Sequence, residues 1–116
     1  MKQKLIYKIA TQDQWAIAEN AGEFLGAPID LTDGYIHFST ADTVRETAAK
    51  HFAGQDNLLL IAIDEKALGN DLVYEVSRGG AKFPHLYGIL NLQHVVWAQP
   101  LPLGANQLHV FPKGID

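Results

Sequence analysis

Residue types that could do chemistry lie at alternate positions of a short stretch, residues 33–40. Tyr35, His37 and Ser39 are separated by single apolar residues, a spacing typical of a strand. Because alternate strand residues point to one face, we expect this trio to face a cleft while Ile36 and Phe38 face the core. An imidazole placed there could exchange a proton near neutral pH. The alternative is a structural histidine with both ring nitrogens hydrogen-bonded.

A second stretch, residues 77–88, has the same alternating pattern, with His85 and Tyr87 on either side of an apolar residue. Pro84 holds its preceding residue extended, so the pair lies in a stiff segment. The competing interpretation is an aromatic pair that closes the sheet against Trp97. Two such stretches in a short chain predict one shared polar site.

The carboxylate of such a site would come from Glu75, near the end of a predicted strand. A solvated, outward-facing glutamate is the alternative interpretation. We therefore predict catalytic roles for His37, His85 and Glu75, and ligand contacts from Tyr35, Ser39 and Tyr87.

The loop before His85 carries a pattern that could bind an anion. Arg78 and Lys82 supply charge, and Gly79 and Gly80 let backbone amides approach a phosphate. The sequence is neither a Walker motif nor a dinucleotide fingerprint. A flexible surface loop is the alternative. We assign these four residues to ligand binding as a prediction.

The other three histidines, His51, His94 and His109, are interpreted as structural. No pair of histidines has the spacing that places two metal ligands on one face of an element, so no metal site is predicted. A serine-hydrolase elbow of the Gly-x-Ser-x-Gly type does not occur either.

Composition limits the classes of protein. The 116 residues are 47% hydrophobic and 19% charged, which predicts one globular domain spanning residues 1–116. The net charge of −4 argues against general nucleic-acid binding. There is no cysteine and no apolar run of membrane-spanning length, so we expect a cytoplasmic protein, with a monomer as the default state.

Helices are predicted early and strands late, which favours an α+β domain with a mostly antiparallel sheet and two main helices. Thr11 and Gln14 form a capping box for the first helix, and the second runs over about residues 41–52, capped by Ser39 or Thr40. Residues 23–31 are predicted irregular because of Gly26 and Pro28. Predicted strands cover residues 5–10, 35–39, 57–63, 72–76, 86–87 and 94–98, with a possible edge at 108–111, a helical turn at 64–69 and a loop at 77–84.

Residues 33–40 and 83–88, with Tyr7-Lys8, residues 26–30, 51–54 and 77–80, resemble a bacterial family, the domain of unknown function 952 family. The resemblance covers about residues 5–112. It implies the ADP-ribosyltransferase-like fold, a split antiparallel sheet whose cleft binds NAD or a related ribose phosphate.

The resemblance and the residues together leave open whether the protein is an enzyme. The first hypothesis is a small ADP-ribosyl or ribose-phosphate transferase, with NAD or a related nucleotide as its ligand. The second is a module that binds a nucleotide-like molecule or a protein without catalysis. A purely structural role for both stretches is the third.

Overall fold

The described residues form two three-stranded antiparallel sheets and a two-stranded ribbon. The computed structural model describes residues 4–115, except for the side chain of Arg78. In chain order the elements are β1 (Leu5–Thr11), α1 (Gln12–Ala21), β2 (Glu23–Phe24), α2 (Pro28–Asp33), β3 (Ile36–His37), α3 (Val44–His51), β4 (Leu58–Asp64), β5 (Leu72–Val76), β6 (Lys82–Leu86), β7 (Leu90–Asn91) and β8 (Val95–Pro100). The predicted α+β class with antiparallel sheets is confirmed.

The first sheet has the strand order β1-β4-β8, and the second has the order β3-β6-β5. The predicted apolar strand is the central strand β4, which is buried apart from the half-buried Leu59 and Asp64. A single bridge connects the two sheets: the backbones of Tyr7 and Ser39 exchange two hydrogen bonds of 2.8 Å. This bridge places the residues after β3 beside the middle of β1.

Helix α1 forms as its sequence predicts. Thr11 Oγ1 accepts a hydrogen bond from the Gln14 backbone, and the Gln14 side chain accepts one from Thr11 N–H. Gly22 ends the helix in the left-handed region, with φ of 82°. Trp15 and Ala18 pack into the core.

The prediction of irregular structure over residues 23–31 is wrong, because this segment contains β2 and the start of α2. Pro28 begins α2 instead of preventing it, since the first helical position needs no backbone N–H donor. The Asp30 side chain accepts a hydrogen bond from Ala27 N–H at 2.7 Å and so caps this short helix from within. Asp30 is thereby fixed beside β3.

Helix α3 begins at Val44, three residues later than predicted, and neither Ser39 nor Thr40 caps it. Thr43 occupies the cap position, and its hydroxyl accepts a hydrogen bond from Thr40 N–H. Val44 and Ala48 face the core, as their spacing predicts.

The later strands differ from the predictions at their ends. Strand β5 matches, but β6 already starts at Lys82, within the predicted loop, because Lys82 pairs with Val76. Residues 65–71 and 92–94 form 3-10 turns. Residues 108–111 add only a bridge between Leu103 and His109. No helix in the described part of the chain is long and apolar enough to cross a membrane.

Candidate functional site

The pairing of β3 with β6 brings the two predicted histidines together. His37 lies directly opposite His85, and their ring centroids are 5.4 Å apart. The next pair in the register, Ile36 and Leu86, is buried in the core. The strand predicted over residues 35–39 is shorter, because β3 covers only Ile36–His37, but the imidazoles do lie on the face away from the core.

A cleft of about 580 Å³ opens between this sheet face and α3. Part of β1 forms its floor through Tyr7 and Lys8. The lining includes Tyr35, His37, Ser39 and His85 on the sheet side, Asp33 at the end of α2, and Glu46, Thr47, Lys50 and His51 on α3.

A buried ion pair lies behind His37. Lys8 and Asp30 are only 5% and 2% exposed. Lys8 Nζ donates to Asp30 Oδ1 at 3.1 Å, to Asp30 Oδ2 at 2.8 Å and to the His37 carbonyl at 3.1 Å. Buried charges are tolerated when they are paired and hydrogen-bonded, as both are here.

Asp30 also fixes the His37 ring. Its Oδ1 accepts hydrogen bonds from His37 Nδ1 at 2.6 Å and from His37 N–H at 3.1 Å. On the other side of the ring, His37 Nε2 lies 3.0 Å from Asp33 Oδ2. A carboxylate can only accept, so His37 Nδ1 is the donor to Asp30.

Burial raises the pKa of Asp30, but the hydrogen bond from His37 and the charge and hydrogen bonds of Lys8 outweigh it. Together with Ala27 N–H they lower the pKa of this carboxyl from 3.8 to about 2. Burial also lowers the pKa of Lys8, against the opposing effect of Asp30. The Asp30 carboxyl is therefore ionised at neutral pH.

His85 has its own carboxylate. Its Nδ1 lies 2.7 Å from Glu75 Oε1, which also accepts a hydrogen bond from the Tyr87 hydroxyl at 2.7 Å. The hydrogen bonds from His85 and Tyr87 lower the pKa of Glu75, and the bond to Glu75 raises the pKa of Tyr87 to about 12. His85 Nε2 has no hydrogen-bond partner in the described part of the chain, which leaves out the Arg78 side chain.

Tyr35 covers the two imidazoles. Its ring stacks on His85 with centroids 4.1 Å apart, and it tilts against His37 and Tyr87 at 4.6 and 5.1 Å. Burial and the charges of Asp33 and Glu75 raise the pKa of Tyr35. The aromatic cluster therefore lies between two carboxylates.

The structure brings some of the predicted site residues together and separates others. Tyr35, His37, Ser39 and His85 line the cleft, while Glu75 and Tyr87 adjoin it through their bonds around His85. The predicted anion-binding residues Gly79, Gly80 and Lys82 are not on its lining.

The register explains the position of Lys82, which lies on the opposite face of β6 from His85. Gly80 N–H donates to the Ser77 carbonyl within its own turn. The Arg78 side chain lies outside the described part of the chain.

Sequence reasoning missed Lys8, Asp30 and Asp33 as site residues. A lysine within the apolar strand sequence of residues 5–10 was the available signal, because a buried lysine requires a partner. Among the residues described, no three histidine, aspartate or glutamate side chains are arranged to hold a metal ion.

Comparisons with known proteins show the family of the chain. The model of a family described as "Protein of unknown function (DUF952)" matches residues 9–98. The crystal structure of protein CC0527 from Caulobacter crescentus is 46% identical, with a TM-score of 0.88, over 91% of this chain and 93% of that one. Its solution NMR structure is 47% identical, with a TM-score of 0.82, over 90% of each chain. No curated protein matches. The chain belongs to the DUF952 family.

Proposed function

We propose that the cleft binds a nucleotide-like molecule, NAD or a related ribose phosphate, and is the active site of a small ribose-phosphate or ADP-ribosyl transferase. One observation carries the proposal. Two imidazoles, His37 and His85, lie side by side on one wall of the cleft, each oriented at Nδ1 by a carboxylate. Imidazoles held this way are suited to orienting a hydroxyl or exchanging a proton with it.

The size and lining of the cleft support a ligand of this class. A volume of about 580 Å³ lies within the range of small-molecule sites. Tyr35 and Tyr87 offer aromatic surface for a base, and the resemblance to the ADP-ribosyltransferase-like fold suggests the ribose phosphate.

The phosphate of such a ligand would lie against α3. Lys8 is neutralised by Asp30, and Lys82 lies on the other face of its strand. Lys50 and His51 are exposed on the α3 wall of the cleft, although Lys50 also pairs with Glu46 at 3.5 Å.

An amide NMR titration with NAD, ADP-ribose and a 2′-phosphorylated nucleotide tests the proposal. We expect shifts on residues 35–39 and 83–87 that are lost in His85→Ala. His109→Ala is the matched control, because His109 bonds to the Gln55 carbonyl outside the cleft. If none of the three ligands shifts these residues at millimolar concentration, the proposal is wrong.

A second candidate is a binding module without catalysis on the same cleft. The observation that favours it is the engagement of both acidic groups: Glu75 Oε1 is bonded to His85 and Tyr87, and Asp33 lies against His37 Nε2. A carboxylate free to act on bound ribose is then missing. Incubation with the ligand that binds, followed by chromatography of the products, separates the two candidates, since the module binds without turnover.

A further inference from the structure

The buried His85 presents a hydrogen-bond acceptor on the sheet side of the cleft. His85 is 5% exposed, and its Nδ1 must carry a proton because Glu75 Oε1 can only accept. In the neutral ring Nε2 is then an acceptor. It has no partner in the described part of the protein, and it is not sealed from solvent.

Ser39 is a second acceptor, as its hydrogen bonds show. The Thr47 hydroxyl donates its only proton to the Thr43 carbonyl at 3.0 Å. The contact of 2.9 Å between Ser39 Oγ and Thr47 Oγ1 therefore uses the proton of Ser39. Ser39 is 4% exposed on the cleft wall, and it has only lone pairs left for a ligand.

Asp33 brings a negative charge to the wall of the cleft that holds His37 and His85. All three Lys8 donor contacts go to Asp30 and to the His37 carbonyl, so the buried cation has no donor for a ligand. Asp33 lines the cleft with its side chain 36% exposed. A phosphate beside Asp33 would face hydrogen-bond acceptors and a carboxylate. It would find no free donor on Lys8.

We propose that the acceptor end of the cleft, formed by Asp33, Ser39 and His85 Nε2, binds a cationic, donor-rich nitrogen group of the ligand, a guanidinium or an ammonium. Such a group supplies the N–H donors that the two buried acceptors lack. It also compensates the charge of Asp33 through a charge-assisted hydrogen bond. The inference goes beyond the proposed function, because it concerns this end of the cleft whatever occupies the rest.

Two probes of nearly equal shape test the proposal without any variant. N-acetylarginine amide and N-acetylcitrulline amide differ in charge, and each is titrated into the protein at low salt and followed by amide NMR. We expect the arginine compound to shift residues 33–39 and 85 and to bind about tenfold more tightly, as a charge-assisted hydrogen bond allows. Equal affinities, no binding of either probe, or shifts confined to other residues would overturn the proposal.

Variants then assign the preference to the acceptor end. Asp33→Asn is expected to reduce the ratio of the two affinities to about twofold or less, as loss of the charge removes the charge-assisted bond. Asp42→Asn is the control, because Asp42 is exposed and not on the cleft lining. An unchanged ratio in a folded Asp33→Asn protein contradicts the assignment.

These results are separable from the nucleotide proposal. Nucleotide binding without a preference for the arginine probe refutes this inference alone. Selective binding of the arginine probe without nucleotide binding refutes only the nucleotide proposal.

Discussion

Replacing Asp30 by asparagine tests whether the buried ion pair positions the site. The substitution keeps the size of the side chain but removes the charge that compensates Lys8, whose side chain is 6% exposed. Breaking a buried pair by removing one partner typically costs about 3–5 kcal/mol. The asparagine oxygen can still accept one hydrogen bond, so we expect the free energy of unfolding to fall by roughly 3 kcal/mol.

Urea denaturation of the parent, Asp30→Asn and Asp42→Asn measures this effect. Asp42 is an exposed aspartate, so its substitution is expected to change the stability by less than about 0.5 kcal/mol. Adding Lys8→Met to Asp30→Asn removes the uncompensated cation and should restore part of the loss. If Asp30→Asn costs less than about 1 kcal/mol, the ion pair does not hold the site in place.

The lowered pKa of Asp30 also predicts that the free energy of unfolding falls at acidic pH. The pKa of Asp30 in the folded protein is about 2, below the ordinary 3.8 of the unfolded chain. A lowered folded-state pKa gives stability that is present above about pH 4 and is lost as the pH falls toward 2. The shift corresponds to about 2 kcal/mol, and this part of the pH dependence should be absent in Asp30→Asn.

Three further predictions follow from neighbouring contacts. In urea denaturation, Gly26→Ala should lower the free energy of unfolding by at least about 1 kcal/mol more than Gly22→Ala does. Both glycines have a positive φ, so the backbone strain is shared. Only at Gly26 would the added Cβ lie 2.9 Å from the Asp30 Cβ. Equal losses would show that Asp30 can move aside. Glu75→Gln should lower the pKa of Tyr87 from about 12 toward the ordinary 10, seen in the ultraviolet titration of the phenols, since the bond to Glu75 is its main cause; an unchanged titration curve would contradict that cause. Ser39→Ala should leave the parent fold intact, since Tyr7 and Ser39 are bridged through their backbones, and an altered amide spectrum across β1 would contradict this.

The parts of the fold that depend on neighbouring residues were predictable from the sequence. The capping box of Thr11 with Gln14 and the apolar run of β4 are local patterns, and both appear as predicted. The alternation around His37 likewise places the imidazole on the outer face. The opposing position of His85 depends on the β3–β6 register, which no local pattern gives.

The ion pair behind the site was beyond local reasoning. Lys8 and Asp30 are 22 residues apart in the chain, and their contact depends on how α2 lies beside β1. Pro28 by its residue type predicts a break in regular structure, although it begins α2 and so brings Asp30 to His37. The sequence also does not show on which face of the sheet Lys82 lies. That face depends on where β6 starts, and β6 starts within the predicted loop.

The protonation of the two cleft histidines tests the account most directly. Long-range ¹H–¹⁵N correlation on protein labelled with ¹⁵N-histidine reports which ring nitrogens carry protons. We expect His85, in its neutral form, to carry its proton on Nδ1 with Nε2 bare, and Nε2 to shift when a ligand enters the cleft. His37 should carry a proton on Nδ1, held by Asp30. A neutral His85 with its proton on Nε2 would contradict both the Glu75 contact and the acceptor end of the cleft.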